Sequence, residues 1–224
     1  MPSDRQNIKS LKNNLGDYII NTPVFRFDYI DSLCGSNVFF KCENFQHTGS
    51  FKYRAAINAI KNIPDEFKDR GVITHSSGNF AHALARAAHE LQIPCHIVMP
   101  DNTPNLKKNS VLSYTKNVIE CESSLQAREL TTNEIINKKD LYFLHPSNNM
   151  DVILGNSTCA LEFIEEYSNL DFIFSPIGGG GLIAGTSIAI NNFSDNCQVI
   201  GAEPLNVDDA YRSLISGKIE VNES

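Results

Sequence analysis

Four consecutive glycines at 178–181, a lysine at 52 within Thr48-Gly49-Ser50-Phe51-Lys52, and a run Ser76-Ser77-Gly78-Asn79 are the residues here whose types and spacing could do chemistry. The glycines lie between a short apolar run and a stretch that reads as helix. Without side chains their backbone can approach a ligand closely, and several N–H groups in front of a helix N-terminus make a phosphate cradle. A plain strand-to-helix turn needs fewer glycines. Lys52 stands at the start of a predicted helix, the positive end of the helix dipole, which lowers an amine's basicity and favours attack on a carbonyl. A Schiff base to an aldehyde cofactor would remove the buried charge; the plain alternative is a surface lysine beside a cap. In His75-Ser76-Ser77-Gly78-Asn79, hydroxyls, an amide and N-terminal N–H groups converge where a carboxylate could sit. A simple N-cap would need only one of them.

Together these motifs offer a phosphate cradle, an amine for a carbonyl and an anion site, the parts a pyridoxal-phosphate enzyme supplies around its cofactor. The glycine stretch also satisfies G-x-G-x-x-A through Gly179, Gly181 and Ala184. Glu203 follows about twenty residues on, as in a dinucleotide site. A nicotinamide dehydrogenase therefore competes, although it leaves Lys52 and the serine run idle. A non-catalytic fragment is a third reading.

The elements that must position these groups follow from periodicity and punctuation. Residues 4–14 read as an amphipathic helix and Val38–Cys42 as a short strand, and Ser50 is expected to cap a helix running to about Ile60. A regular alternation follows, with strands at Val72–His75, Cys95–Met99, Val118–Cys121, Leu141–Leu144, Phe172–Ser175 and Val199–Ala202. The intervening helices are Asn79–Leu91, Asn105–Tyr114, Ser124–Asn137, Asp151–Tyr167 and Gly181–Asn191, with a last one at Asp208–Ser216. Apolar strands alternating with helices predict an α/β fold with open, mainly parallel sheets and helices on both faces. Ligands then bind at the carboxyl ends of strands, which selects the loops after Thr74, Leu144 and Ser175.

The 224 residues carry 19 Lys and Arg against 26 Asp and Glu, a formal charge of −7, with no dense basic cluster. That balance argues against gripping a nucleic-acid backbone. No apolar run reaches the length of a membrane span, and the first residues lack a signal-like core. Six scattered cysteines without a CxxC pair fit reduced thiols and a cytoplasmic location. His75, His82, His89 and His96 recur every seven residues. His82 and His89 would sit two helical turns apart, so the spacing is read as coincidence rather than a metal site.

CENFQHTGSFKYRAAINAI (42–60), THSSGNFAHALA (74–85), SPIGGGGLIAG (175–185) and GAEPLNVDD (201–209) resemble, in order and spacing, the serine/threonine dehydratase and serine racemase family of pyridoxal-phosphate enzymes. The similarity runs from about Asn21 to Lys218. It implies a tryptophan-synthase-β-like fold, with residues 1–70 and 149–224 in a large cofactor domain, incomplete at its C-terminal end, and 71–148 in a small mobile domain. By the same resemblance Lys52 attaches the cofactor, Phe51 packs on its ring and Asn79 bonds its phenolic oxygen. Gly178, Gly179, Gly180, Gly181 and Leu182 hold the phosphate, and Ser76, Ser77, Gly78 and Asn79 receive a small amino-acid substrate. Lys52 and Ser77 act catalytically on opposite faces. Glu203, the carbonyl of Val207, and Asp209 match a site for Mg²⁺ or Ca²⁺. The implied reaction is deamination of L-serine or L-threonine to a 2-oxo acid and ammonia, with racemisation as the alternative, in a homodimer.

Three departures stand out. Phe80 replaces a histidine of the racemases, and Ser147 follows the His145-Pro146 pair where asparagine is common. The chain also ends at VNES, where relatives continue and supply the group facing the pyridine nitrogen. A chain of this length is expected to bind the cofactor weakly.

Overall fold

A computed structural model describes residues 4–222. The chain opens with α1 (Arg5–Leu15), β1 (Val24–Arg26), α2 (Asp28–Cys34), β2 (Phe39–Lys41) and α3 (Lys52–Lys61). Next come β3 (Val72–His75), α4 (Asn79–Glu90), β4 (Cys95–Pro100), α5 (Asn105–Leu112), β5 (Val118–Cys121), α6 (Leu125–Lys139) and β6 (Tyr142–Phe143). The rest comprises α7 (Met150–Glu166), β7 (Phe172–Pro176), α8 (Gly181–Phe193), β8 (Gln198–Ala202) and α9 (Asp209–Ser216).

The strands form a four-stranded parallel sheet in the order β5-β4-β3-β6, a parallel pair β7-β8, and an antiparallel ribbon β1-β2. Successive residues of a strand face opposite sides, and the core follows that rule. Val72, Ile97 and Met99 point to the side shared with α3 and α4, while Ile73 and Val98 meet Leu141, Ile135 and Ile136 on the other. Helices thus cover both faces of the larger sheet. In β7 the alternation leaves Ile173 and Ser175 buried and Phe172 and Phe174 exposed.

Small side chains set the closest approaches. Ala81, Ala83, Ala85, Ala87 and Ala88 of α4 are fully buried, as are Ala55 and Ala56 of α3. Gly155 of α7 lies directly against α3: a Cβ there would come within 2.8 Å of Ala55 Cα and run into the carbonyl of Arg54. The crossing is pinned by Asn58 Nδ2, which donates to the carbonyl of Asp151 at 2.7 Å.

The expected Ser50 cap is corrected by the structure. Phe51 occupies the cap position of α3 without a side-chain hydrogen bond, Lys52 is the first helical residue, and Ser50 is extended, its buried hydroxyl without a protein partner. The helix start is held instead by Arg54, which is fully buried. Its Nε and Nη2 donate to Glu43 at 2.8 Å each, and Nη1 and Nη2 to Glu162 of α7 at 2.7 and 2.8 Å. Nη2 also reaches the carbonyl of Ile20 at 3.1 Å. Lys41 of β2 completes the group with Nζ 2.8 Å from Glu162, and Thr22 donates to Glu43 at 2.6 Å. Two cations and two carboxylates balance in charge. Burial alone would raise the Glu43 carboxyl, but the hydrogen bonds and charge of Arg54 outweigh it and hold it below its usual range.

Removing one partner of such a group strands the others in low dielectric, which costs about 3–5 kcal/mol. Arg54→Met is therefore expected to lose about that much stability in equilibrium urea unfolding. A loss below about 1 kcal/mol, the range of an exposed pair, would contradict this role.

Candidate functional site

Lys52 projects from the first turn of α3, and its Nζ donates to the carbonyl of Pro146 at 2.8 Å. The amine lies 5.2 Å from the ring centre of Phe51 and 5.7 Å from that of Phe80, the latter buried in α4. Burial pushes the Lys52 amine down to about 8 from its ordinary 10.5. Desolvation is thus the cause in this structure, where the sequence pointed to the helix dipole.

The loops after β3, β6 and β7 are the three selected from the sequence. After β3, Ser76 N donates to Val98 at 3.1 Å and Ser76 Oγ accepts from Gly78 N at 3.3 Å. Ser76, Ser77 and Gly78 are half-buried, and Asn79, first residue of α4, is exposed. After β7, Gly178 and Gly179 are exposed, Gly180 takes a left-handed conformation (φ 78°), and Gly181 begins α8, followed by half-buried Leu182. A Cβ placed at Gly178 or Gly180 meets nothing within 4 Å, so this turn opens onto free space in front of the α8 N-terminus. The first N–H groups of a helix have no partner within it, so the turn can receive an anion.

The loop after β6 joins the glycine turn to Lys52. Ser147 is buried beneath the glycine turn: a Cβ on Gly179 would come within 2.9 Å of Ser147 Cβ, and one on Gly181 within 3.1 Å of Ser147 Cα. The preceding residue, Pro146, holds Lys52. Two of the departures from the family pattern, Phe80 and Ser147, therefore sit against the lysine and the glycine turn. The carbonyl of Pro146 and the imidazole of His145 were not among the expected site residues; the HP pair at a strand's carboxyl end was their only signal.

The remaining sequence expectations are placed elsewhere. Glu203 Oε1 accepts from Ala210 N at 3.2 Å and Oε2 from Tyr211 N at 2.9 Å, so this carboxylate caps α9. Asp209 accepts from Asn222 at 2.6 Å, and Val207 is exposed. Among the described residues no group of three or more His, Cys, Asp or Glu could hold a metal. His82 and His89 both flank the ring of Tyr114, at 5.7 and 5.8 Å. All six cysteines are free, and among the described residues no helix is long and apolar enough to cross a membrane.

A lysine poised between its charged and neutral forms, beside an aromatic ring and an open glycine turn at a helix start, fits an aldehyde cofactor with a phosphate arm. Residues 15–224 match the family described as pyridoxal-phosphate dependent enzyme, and the chain belongs to that family. Membership resolves the two readings of the glycine turn in favour of pyridoxal phosphate. The chain is 42% identical over 215 residues to a serine racemase of Dictyostelium discoideum, covering 96% of this chain and 66% of the relative. It is 44% identical over 202 residues to a beta-hydroxyaspartate dehydratase of Paracoccus denitrificans, covering 90% and 64%. A maize serine racemase structure superposes with a TM-score of 0.96 at 37% identity, over 100% of this chain and 68% of that one. The chain thus spans slightly less than two thirds of the length of these curated relatives.

The Lys52 pKa makes a stability prediction for the protein without cofactor. Below about pH 8 the folded chain carries a buried ammonium. Between about 8 and 10.5 the unfolded chain binds more protons than the folded one, so stability rises with pH across that window. Lys52→Met is expected to melt higher than wild type at pH 7, and the difference should close as pH approaches 10.5. A constant difference would mean that packing, not charge, is responsible.

Proposed function

We propose that the protein removes the β-hydroxyl of L-serine or L-threonine, giving a 2-oxo acid and ammonia, and that racemisation of the same substrates is its alternative outcome. The observation that carries this reading is the half-buried Lys52 amine, with a pKa near 8, between Phe51 and Phe80 and beside the turn that meets the glycine loop. The names of the relatives support it, since they cover a serine racemase and a beta-hydroxyaspartate dehydratase.

Gly178, Gly179, Gly180, Gly181 and Leu182 would hold the phosphate of pyridoxal phosphate through backbone N–H groups, Phe51 would pack on the ring and Asn79 would bond its phenolic oxygen. When bound, the cofactor supplies an electron sink for charge developing at the substrate's Cα. Ser76, Ser77, Gly78 and Asn79 receive the substrate carboxylate. Lys52, in its neutral form, takes the Cα proton onto Nζ. The bond from Cβ to the hydroxyl then breaks, and the leaving oxygen takes the proton held on Nζ to depart as water. A water hydrolyses the remaining carbon–nitrogen double bond to give the 2-oxo acid and ammonia. If Ser77 instead returns a proton to the opposite face of Cα, the product is the other enantiomer.

Residues 71–148 are proposed to move as a small domain over a large one built from 1–70 and 149–224, in a cytoplasmic homodimer. A Mg²⁺ or Ca²⁺ ion at Glu203, Val207 and Asp209 rests on the family pattern alone. Each Glu203 oxygen accepts one backbone N–H, at the start of α9.

The test is to supply pyridoxal phosphate and L-serine, then measure 2-oxo acid and D-serine together. Lys52→Ala should lose both. Ser77→Ala should lose D-serine formation by about 10²-fold or more, the scale of one acid–base group, while keeping 2-oxo acid release. Equal loss of both products in Ser77→Ala would contradict the two-face assignment.

A further inference from the structure

His145 has no role in the chemistry above, yet its ring supports the turn that touches both halves of the site. Nδ1 accepts hydrogen bonds from the backbone N–H of Ser147 at 3.1 Å and of Asn148 at 2.8 Å, and Ser147 Oγ lies 3.5 Å away. A nitrogen that receives two N–H donors must carry a lone pair there, so the ring proton belongs on Nε2. The turn folded around Nδ1 presents the Pro146 carbonyl to Lys52 and lays Ser147 beneath Gly179 and Gly181.

We propose that His145 is a positioning residue for Lys52 and the glycine turn, and that protonation of its Nδ1 releases the 145–148 turn and uncouples them. An Nδ1–H would confront two N–H donors, replacing two attractive contacts with repulsive ones. The neighbouring groups resist that proton. Burial lowers the His145 pKa below its ordinary value, the Lys52 charge from α3 lowers it further, and Glu129 from α6 acts weakly in the opposite sense. His75 at the end of β3 stands 6.0 Å away edge-on and is itself lowered, by burial first and then by His145. Phe143 packs at 6.1 Å as the apolar wall. Because the folded value lies below the ordinary 6.5, the neutral form is kept at neutral pH, and the turn's stability falls as pH drops below about 6.5.

This inference rests on the reading of Lys52 as the cofactor lysine, and the experiment has two readouts so that the two can fail separately. The first is amide hydrogen exchange at Ser147 and Asn148. The second is the rate at which cyanoborohydride, which survives mild acid, fixes pyridoxal phosphate on Lys52, followed from about pH 5 to 8, the range where histidine titrates. Wild type, His145→Asn and His145→Ala are compared. Asn places an accepting oxygen where Nδ1 stands and cannot be protonated in this range. At pH 8, His145→Asn should protect both amides and label Lys52 much as wild type does. His145→Ala should exchange both amides and label Lys52 about tenfold more slowly, the scale of one or two lost hydrogen bonds. Protonation of Lys52 itself, whose pKa is near 8, slows labelling on acidification in every variant. The deciding quantities are therefore the ratio of wild-type to His145→Asn labelling and the amide protection factors. Both should be level between the two proteins at pH 8 and fall in wild type alone below about pH 6.5. A wild-type to His145→Asn ratio that stays constant from about pH 8 to 5 would overturn the proposal, as would wild-type behaviour in His145→Ala. If His145→Ala does not fold, the comparison of wild type with His145→Asn still decides. Absence of labelling at any pH in wild type would instead overturn the cofactor role of Lys52, leaving amide exchange to judge His145.

Discussion

A guanidinium without solvent contact persists only where its donors are met and its charge is balanced, and Arg54 is in that position. Glu43 and Glu162 each accept two of its hydrogen bonds, and Lys41 supplies the second positive charge. The group fastens the start of α3 to the ribbon strand β2, to the segment after β2 and to the C-terminal part of α7 in one step. Arg54 stands two residues after Lys52. The direction in which Lys52 leaves the helix is thus set from a buried charge cluster two residues away. Replacement by lysine would not be conservative, because a single ammonium cannot meet two carboxylates with paired donors.

From this anchor the site is assembled by backbone rather than by side chains. The Pro146 carbonyl receives Lys52, Ser147 fills the space under the glycine turn, and that turn opens away from it at Gly178 and Gly180. Absence of a side chain therefore serves two purposes in one loop. At Gly179 and Gly181 it lets the turn settle on Ser147, and at Gly178 and Gly180 it leaves the backbone accessible. Two of the three departures from the family pattern, Phe80 and Ser147, lie within this assembly. One lines the lysine with an apolar ring where racemases have histidine, and the other supports the turn with a small hydroxyl.

Much of the fold was legible because the strands from β3 onward are short apolar runs between alternating helices, a pattern with few other solutions. Boundaries shifted by a residue or two, as at α7, where Asn149 caps Val152 N and starts the helix at Met150. The ribbon β1-β2 was seen only in part. Val24–Arg26 is three residues long and carries exposed Phe25, too short to show a period. The lysine, serine and glycine motifs stood out because their composition is unusual. Arg54, Glu43 and Glu162 did not, since nothing in three ordinary charged residues so far apart announces a shared buried site. His145 showed only as half of the HP pair after β6, because its role comes from the direction of one ring nitrogen toward two backbone donors.

The central claim is that Lys52 is the residue that takes the cofactor. Its most direct test is to incubate the protein with pyridoxal phosphate, reduce with borohydride, digest and map the modified peptide. The account predicts the label on Lys52 in the peptide containing Thr48-Gly49-Ser50-Phe51-Lys52. A label confined to another lysine, such as Lys41 or Lys61, or no stable label at all, would contradict it.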